Sequence, residues 1–108
     1  MARLTVEAVA EDTLTAPEER PTNRIVASVT DPNGEPVTGL TAANFRIHPM
    51  ASDNGGANVH VTQVRPGPLA GFYHIDVVPN GGRSVCVFAI AASRGADKGQ
   101  TLATVAVD

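Results

Sequence analysis

Among its 108 residues the chain has no tryptophan, one tyrosine, three phenylalanines and one cysteine. Each shortage closes a route. A single thiol, Cys86, cannot form an internal disulfide, so nothing in the cysteine count demands or forbids an oxidising compartment. So few aromatic rings imply a thin aliphatic core, of the kind that fills the gap of about 10 Å between two packed sheets. Eight Lys and Arg stand singly among eleven acids, for a formal net charge of −3. Nucleic acid and anionic membranes are bound through clustered cations, so the sequence predicts neither partner. No apolar run matches a signal peptide or a membrane span, so membrane insertion is not expected and no compartment is assigned. No Asn-x-Ser/Thr acceptor occurs.

What the chain does have is punctuation. Ten Gly and eight Pro interrupt it too often for long helices. Between them lie short runs with apolar residues at every second position, the period of a half-buried strand. Leu4, Val6 and Ala8 alternate in the first run, from Arg3 to Val9. Ile25, Ala27 and Val29 do so from Arg24 to Thr30. Phe45 and Ile47 point one way from Phe45 to His48. Further strands are expected over Val59 to Val64, Gly71 to Val78, Arg83 to Ser93 and Gln100 to Val107. The turns between them carry Pro, Asn, Asp and Gly, whose backbones suit tight reversals. Thr41 to Asn44 has room for one helical turn, and Arg94 to Gly99 reads as a polar hairpin tip. Seven strands in a chain of this length predict one domain, residues 1–108, built as an all-β sandwich. The acidic stretch from Glu11 to Asn23 is long for a plain connection.

Two motifs narrow the fold. Val29 to Ile47 reads as strand, Asp-x-x-Gly-x-Pro-Val-x-Gly-Leu, then Phe-x-Ile, and Gly71 to Val77 reads Gly-x-Tyr-x-Ile-x-Val. Together they resemble a recurrent bacterial Ig-like and filamin-like module. The resemblance implies an immunoglobulin-like β-sandwich of about seven antiparallel strands. Members of such families act as spacers, adhesin modules, substrate-positioning domains and structural subunits, so the implied role is non-catalytic. The cysteine pair and tryptophan of antibody-type domains are absent from this sequence.

The residues carry little recognisable chemistry. Ser28, Ser52, Ser84 and Ser93 lack a nucleophile elbow, and Cys86 sits mid-strand among valines, where a thiol behaves as a small hydrophobe. Neither a catalytic centre nor a cofactor is predicted. Asp31, Asn33, Asp53 and Asn54 could offer oxygens to Ca²⁺, but such residues also bond their own turn backbones, which suffices to explain them. The metal reading with most geometry behind it uses His60, His74 and Asp76. A hairpin folded at Pro66 to Pro68 would bring outward residues of neighbouring strands within about 5 Å, a donor set suited to Zn²⁺ or Cu²⁺.

The run from Val85 to Ala92 breaks the alternation. Val85, Val87, Ala89 and Ala91 form one apolar row, and Cys86, Phe88, Ile90 and Ala92 form the other. One row belongs in the core. The other must be covered by the N-terminal segment near Leu14 or offered to a partner. The expected interface takes Cys86, Phe88, Ile90 and Leu102, or the alternate row, with Asp53, Asn54, Arg94, Asp97 and Lys98 in binding loops. The partner would be another protein or a second copy. Addition of a partner strand to a sheet edge is a further route.

Overall fold

The computed structural model describes residues 2–10, 24–52, 59–79 and 84–107, at some strand ends for the backbone alone. Among them run seven strands: β1 (Thr5–Ala10), β2 (Arg24–Thr30), β3 (Phe45–Ser52), β4 (Val59–Pro66), β5 (Phe72–Pro79), β6 (Ser84–Arg94) and β7 (Asp97–Val107). They form a four-stranded sheet, ordered β1-β2-β5-β4, and a three-stranded sheet, ordered β3-β6-β7. All named strand pairs are antiparallel. This is the strand order of the constant-type immunoglobulin sandwich. The one helical element among the described residues is the expected turn, a 3-10 helix at Ala42–Asn44, closed by a 2.8 Å bond from the Thr41 N–H to the Asn44 side chain.

The core is the sum of the alternating rows. Ile25, Ala27 and Val29 from β2 and Tyr73, Ile75 and Val77 from β5 face Phe45, Phe88, Ile90 and Val105 across the gap. Most of these side chains are fully buried. Phe45 and Tyr73 meet with ring centroids 5.2 Å apart, tilted at 58°, a geometry that lets the edge of one ring face the π-cloud of the other.

Tyr73 also ties a loop to the core. Its hydroxyl donates to the Val37 carbonyl at 2.7 Å and accepts from the Leu40 N–H at 3.2 Å. Those two backbone groups would otherwise be buried without partners in a stretch that belongs to neither sheet. The Gly-x-Tyr motif thus joins two needs. Gly71 takes φ of 80°, and a Cβ there would lie 2.7 Å from the Pro36 ring. The preceding turn satisfies itself. One Asp31 carboxylate oxygen accepts from the Asn33 N–H at 2.9 Å and from the Glu35 N–H at 3.0 Å. Asp31 is therefore a turn-former, as its residue type already explained.

Several boundaries differ from expectation: β3 runs past His48 to Ser52 and β4 past Val64 to Pro66, and two others shape the site. Pairing of β6 with β7 continues out to Arg94 opposite Asp97, so the polar tip is a two-residue turn, Gly95 and Ala96, with Gly95 at φ 61°. The first strand begins by serving the other sheet. The Leu4 N–H donates to the Lys98 carbonyl at 2.9 Å, the Lys98 N–H donates to Ala2, and Arg3 bridges Lys98 in parallel. Gly99 permits this approach, because any Cβ there would collide with the Leu4 carbonyl.

Candidate functional site

The double apolar strand resolves in favour of its larger row. Cys86, Phe88 and Ile90 are at most 1% exposed and pack in the core, which corrects the expectation that they form an interface. Burial free energy scales with apolar area, so the row holding Phe and Ile gains more inside than the row of Val and Ala. Burial also pushes the Cys86 thiol up from its ordinary value, which leaves it neutral. Leu102, the fourth expected contact, does face out and is 63% exposed.

The outer face of the three-stranded sheet is therefore the alternate row and its neighbours. Register sets three ranks across it. Arg46, Ala91 and Gln100 lie side by side, as do His48, Ala89 and Leu102, while Val87 stands beside Thr104. A further rank at the β6–β7 turn pairs Ser93 with Lys98. Asn44 locks onto this rank through a 3.0 Å bond from its side-chain amide to the Ser93 carbonyl. Short side chains occupy the central strand and longer ones the flanking strands, so the face is a trough rather than a flat surface. Asn44, Arg46, Ala91, Ser93, Lys98 and Gln100 line a groove of about 450 Å³ at one end of it.

The expected binding loops are divided by the fold. Arg94, Asp97 and Lys98 stand at this end, beside Arg3 and Arg46. Asp53 and Asn54 lie outside the described residues, and the flanking strand ends, Ser52 and Val59, belong to the opposite end of the sandwich. Asp97 holds the first residues down. Its carboxylate accepts from the Ala2 N–H at 2.8 Å and meets the Arg94 guanidinium at 3.4 Å. The Ala2 bond, with the Arg94 charge beside it, holds the Asp97 carboxyl below the usual carboxylate range. Arg46 has no sequence signal tying it to Lys98. The two line one groove only because β6 lies between their strands.

The metal set meets a different geometry. Backbone register places His60 opposite Val78, whereas His74 stands opposite Arg65, with a bulge between Val61 and Gln63. His74 and Val78 are four residues apart on β5, about 13 Å at strand rise, so His60 and His74 are not cross-strand neighbours. The side chain of His60 lies outside the described residues. Asp76 is committed to cations, 3.0 Å from Arg24 and 3.5 Å from Arg65. Among the described residues no three His, Cys, Asp or Glu side chains gather as a metal site.

The sheets end on four edge strands, β1, β4, β3 and β7, and two of these are built against strand addition. β3 carries Pro49 and a register break between Pro49 and Ala51, and β4 carries its own bulge and ends on Pro66. Proline lacks an N–H and bulges break the ladder, two common ways of blunting an edge.

Comparison with protein-family models, curated proteins and solved structures found no match to this chain.

Proposed function

We propose that the chain is a non-catalytic, immunoglobulin-like interaction module of the bacterial Ig-like and filamin-like type its turn motifs resemble. It docks the outer face of the β3-β6-β7 sheet on another protein or on a second copy. The observation that carries the reading is the outward row Val87, Ala89 and Ala91 with Leu102 beside it, 63% exposed. An antiparallel sheet that faces water usually alternates apolar and polar residues, and here the middle strand turns only Val and Ala outward from Val87 to Ala91. Blunting at β3 and β4 weighs against strand addition at those two edges.

Light scattering over a concentration series, on the parent chain and on A89E and L102D, tests it. Both substitutions lie on the outer face, so their stability cost should stay within about 0.5 kcal/mol. If a defined oligomer forms, each should dissolve it. An oligomer that survives both puts the contact elsewhere and removes the reading. A strict monomer removes the second copy as the occupant and leaves a different protein.

A further inference from the structure

The charge on this face is opposite to that of the chain. Strands β3, β6 and β7 carry three of the eight Lys and Arg but only one of the eleven acids, Asp97, leaving five cations and ten acids elsewhere. Asp97 is already engaged by Arg94 and the Ala2 N–H. Arg46 and Lys98 are both exposed, and among the described residues neither enters a salt bridge. They stand on the two walls of the trough. Adjacent strands are spaced by about 4.8 Å, so walls on either side of β6 stand about 10 Å apart at the backbone. Beyond this cationic mouth the floor continues as Ala91, Ala89 and Val87, with Leu102 on one wall.

We infer that the trough takes an extended acidic segment of a partner protein, carboxylates between Arg46 and Lys98 and small apolar side chains over Ala89 and Val87. This rests on the reading that the outer face is the docking surface. An extended chain presents side chains to one side every second residue, about 7 Å apart, which is also the spacing of the floor residues along β6. The segment therefore alternates, with acids at one end of its inward row and Val-sized residues at the other. Two cations and no Phe, Tyr or Trp on the face fit a peptide better than a nucleic acid, whose bases are held chiefly by stacking on such rings.

The test uses the full chain and a fluorescently labelled peptide, Glu-Thr-Glu-Thr-Val-Thr-Val-Thr, followed by anisotropy at low and high salt. R46Q and K98Q should each weaken binding about threefold to fivefold, the size of an exposed ion pair. Their combination should weaken it at least tenfold, and high salt should mimic it. R65Q, which removes the same charge from the other sheet, should change it less than twofold. A91L, which fills the floor without altering charge, should also abolish binding. Loss in R65Q equal to that in R46Q, or undiminished binding in A91L, overturns the inference, because net charge alone would then attract the peptide. So does an oligothymidylate that displaces the labelled peptide from the parent chain as well as unlabelled peptide does. Failure of the peptide to bind a chain whose oligomer is still dissolved by A89E overturns the acidic segment and leaves the docking face standing. Peptide binding unaffected by L102D and A89E removes the face itself.

Discussion

Replacing Tyr73 by Phe removes one oxygen and keeps the ring, so it isolates the hydroxyl's link between β5 and the loop at Val37 to Leu40. The ring stays against Phe45, and no large cavity opens. What changes is that the Leu40 N–H and the Val37 carbonyl, bonded at 3.2 and 2.7 Å in a buried setting, lose their shared partner. A buried polar group left unsatisfied costs about 1–3 kcal/mol. Thr38 and Gly39 are exposed, so water can reach part of the loop, and the total should fall near the middle of that range, about 2 kcal/mol, rather than at the sum of two full penalties. Unfolding entropy of about 2.1 cal/mol/K per residue makes that loss a fall of about 9 °C in Tm for this chain. Calorimetry measures it. Amide exchange at Leu40 should speed up even below the transition, because the loop opens locally before the sheets part. A shift under about 2 °C, a quarter of that entropy-based figure, with unchanged Leu40 exchange would refute the idea that this hydroxyl holds the loop.

Two further outcomes follow from the way the first residues are pinned to β7. Gly99→Ala should release them, because its Cβ meets the Leu4 backbone; amide exchange at Leu4 should rise, with a loss of about 1–3 kcal/mol typical of overpacking. Exchange at Leu4 as slow as in the parent would show that the contact is dispensable. The Asp97 carboxyl is held below its ordinary value in the folded chain, so its stabilisation is complete above the unfolded value of about 4 and is lost as pH falls through the lower folded one. The Tm difference between the parent and D97A should therefore be constant from about pH 7 to 5 and shrink in more acid solution; a difference that grows with acidity would reverse the sign and reject the assignment.

The strands and turns were legible in the sequence because they are local. Alternation in Ile25 to Val29 and Tyr73 to Val77 sets which side chains share a face whatever the partner. Asp31 to Gly34 and Gly71 make their turns with residues within a few positions of one another. Even the Gly-x-Tyr motif was readable as a strand start, although the buried hydroxyl's partners at Val37 and Leu40 were not. Local pattern says nothing of what lies more than thirty residues away.

The tertiary structure decided what local pattern leaves degenerate. Both rows of β6 are apolar, so a period of two is satisfied with either row inside, and the row with Phe88 and Ile90 takes the core because its larger area gains more by packing against the opposing sheet. The β4–β5 turn runs from Gly67 to Gly71 rather than closing at Pro66 to Pro68, and that register set His60 against Val78, far from His74. Arg46 and Lys98 are far apart in the chain and become two walls of one trough because β6 pairs with both of their strands. The sequence by itself determined the elements and the sandwich they make. The surface that this sandwich offers to others is a product of register and packing, which join residues that share no local pattern.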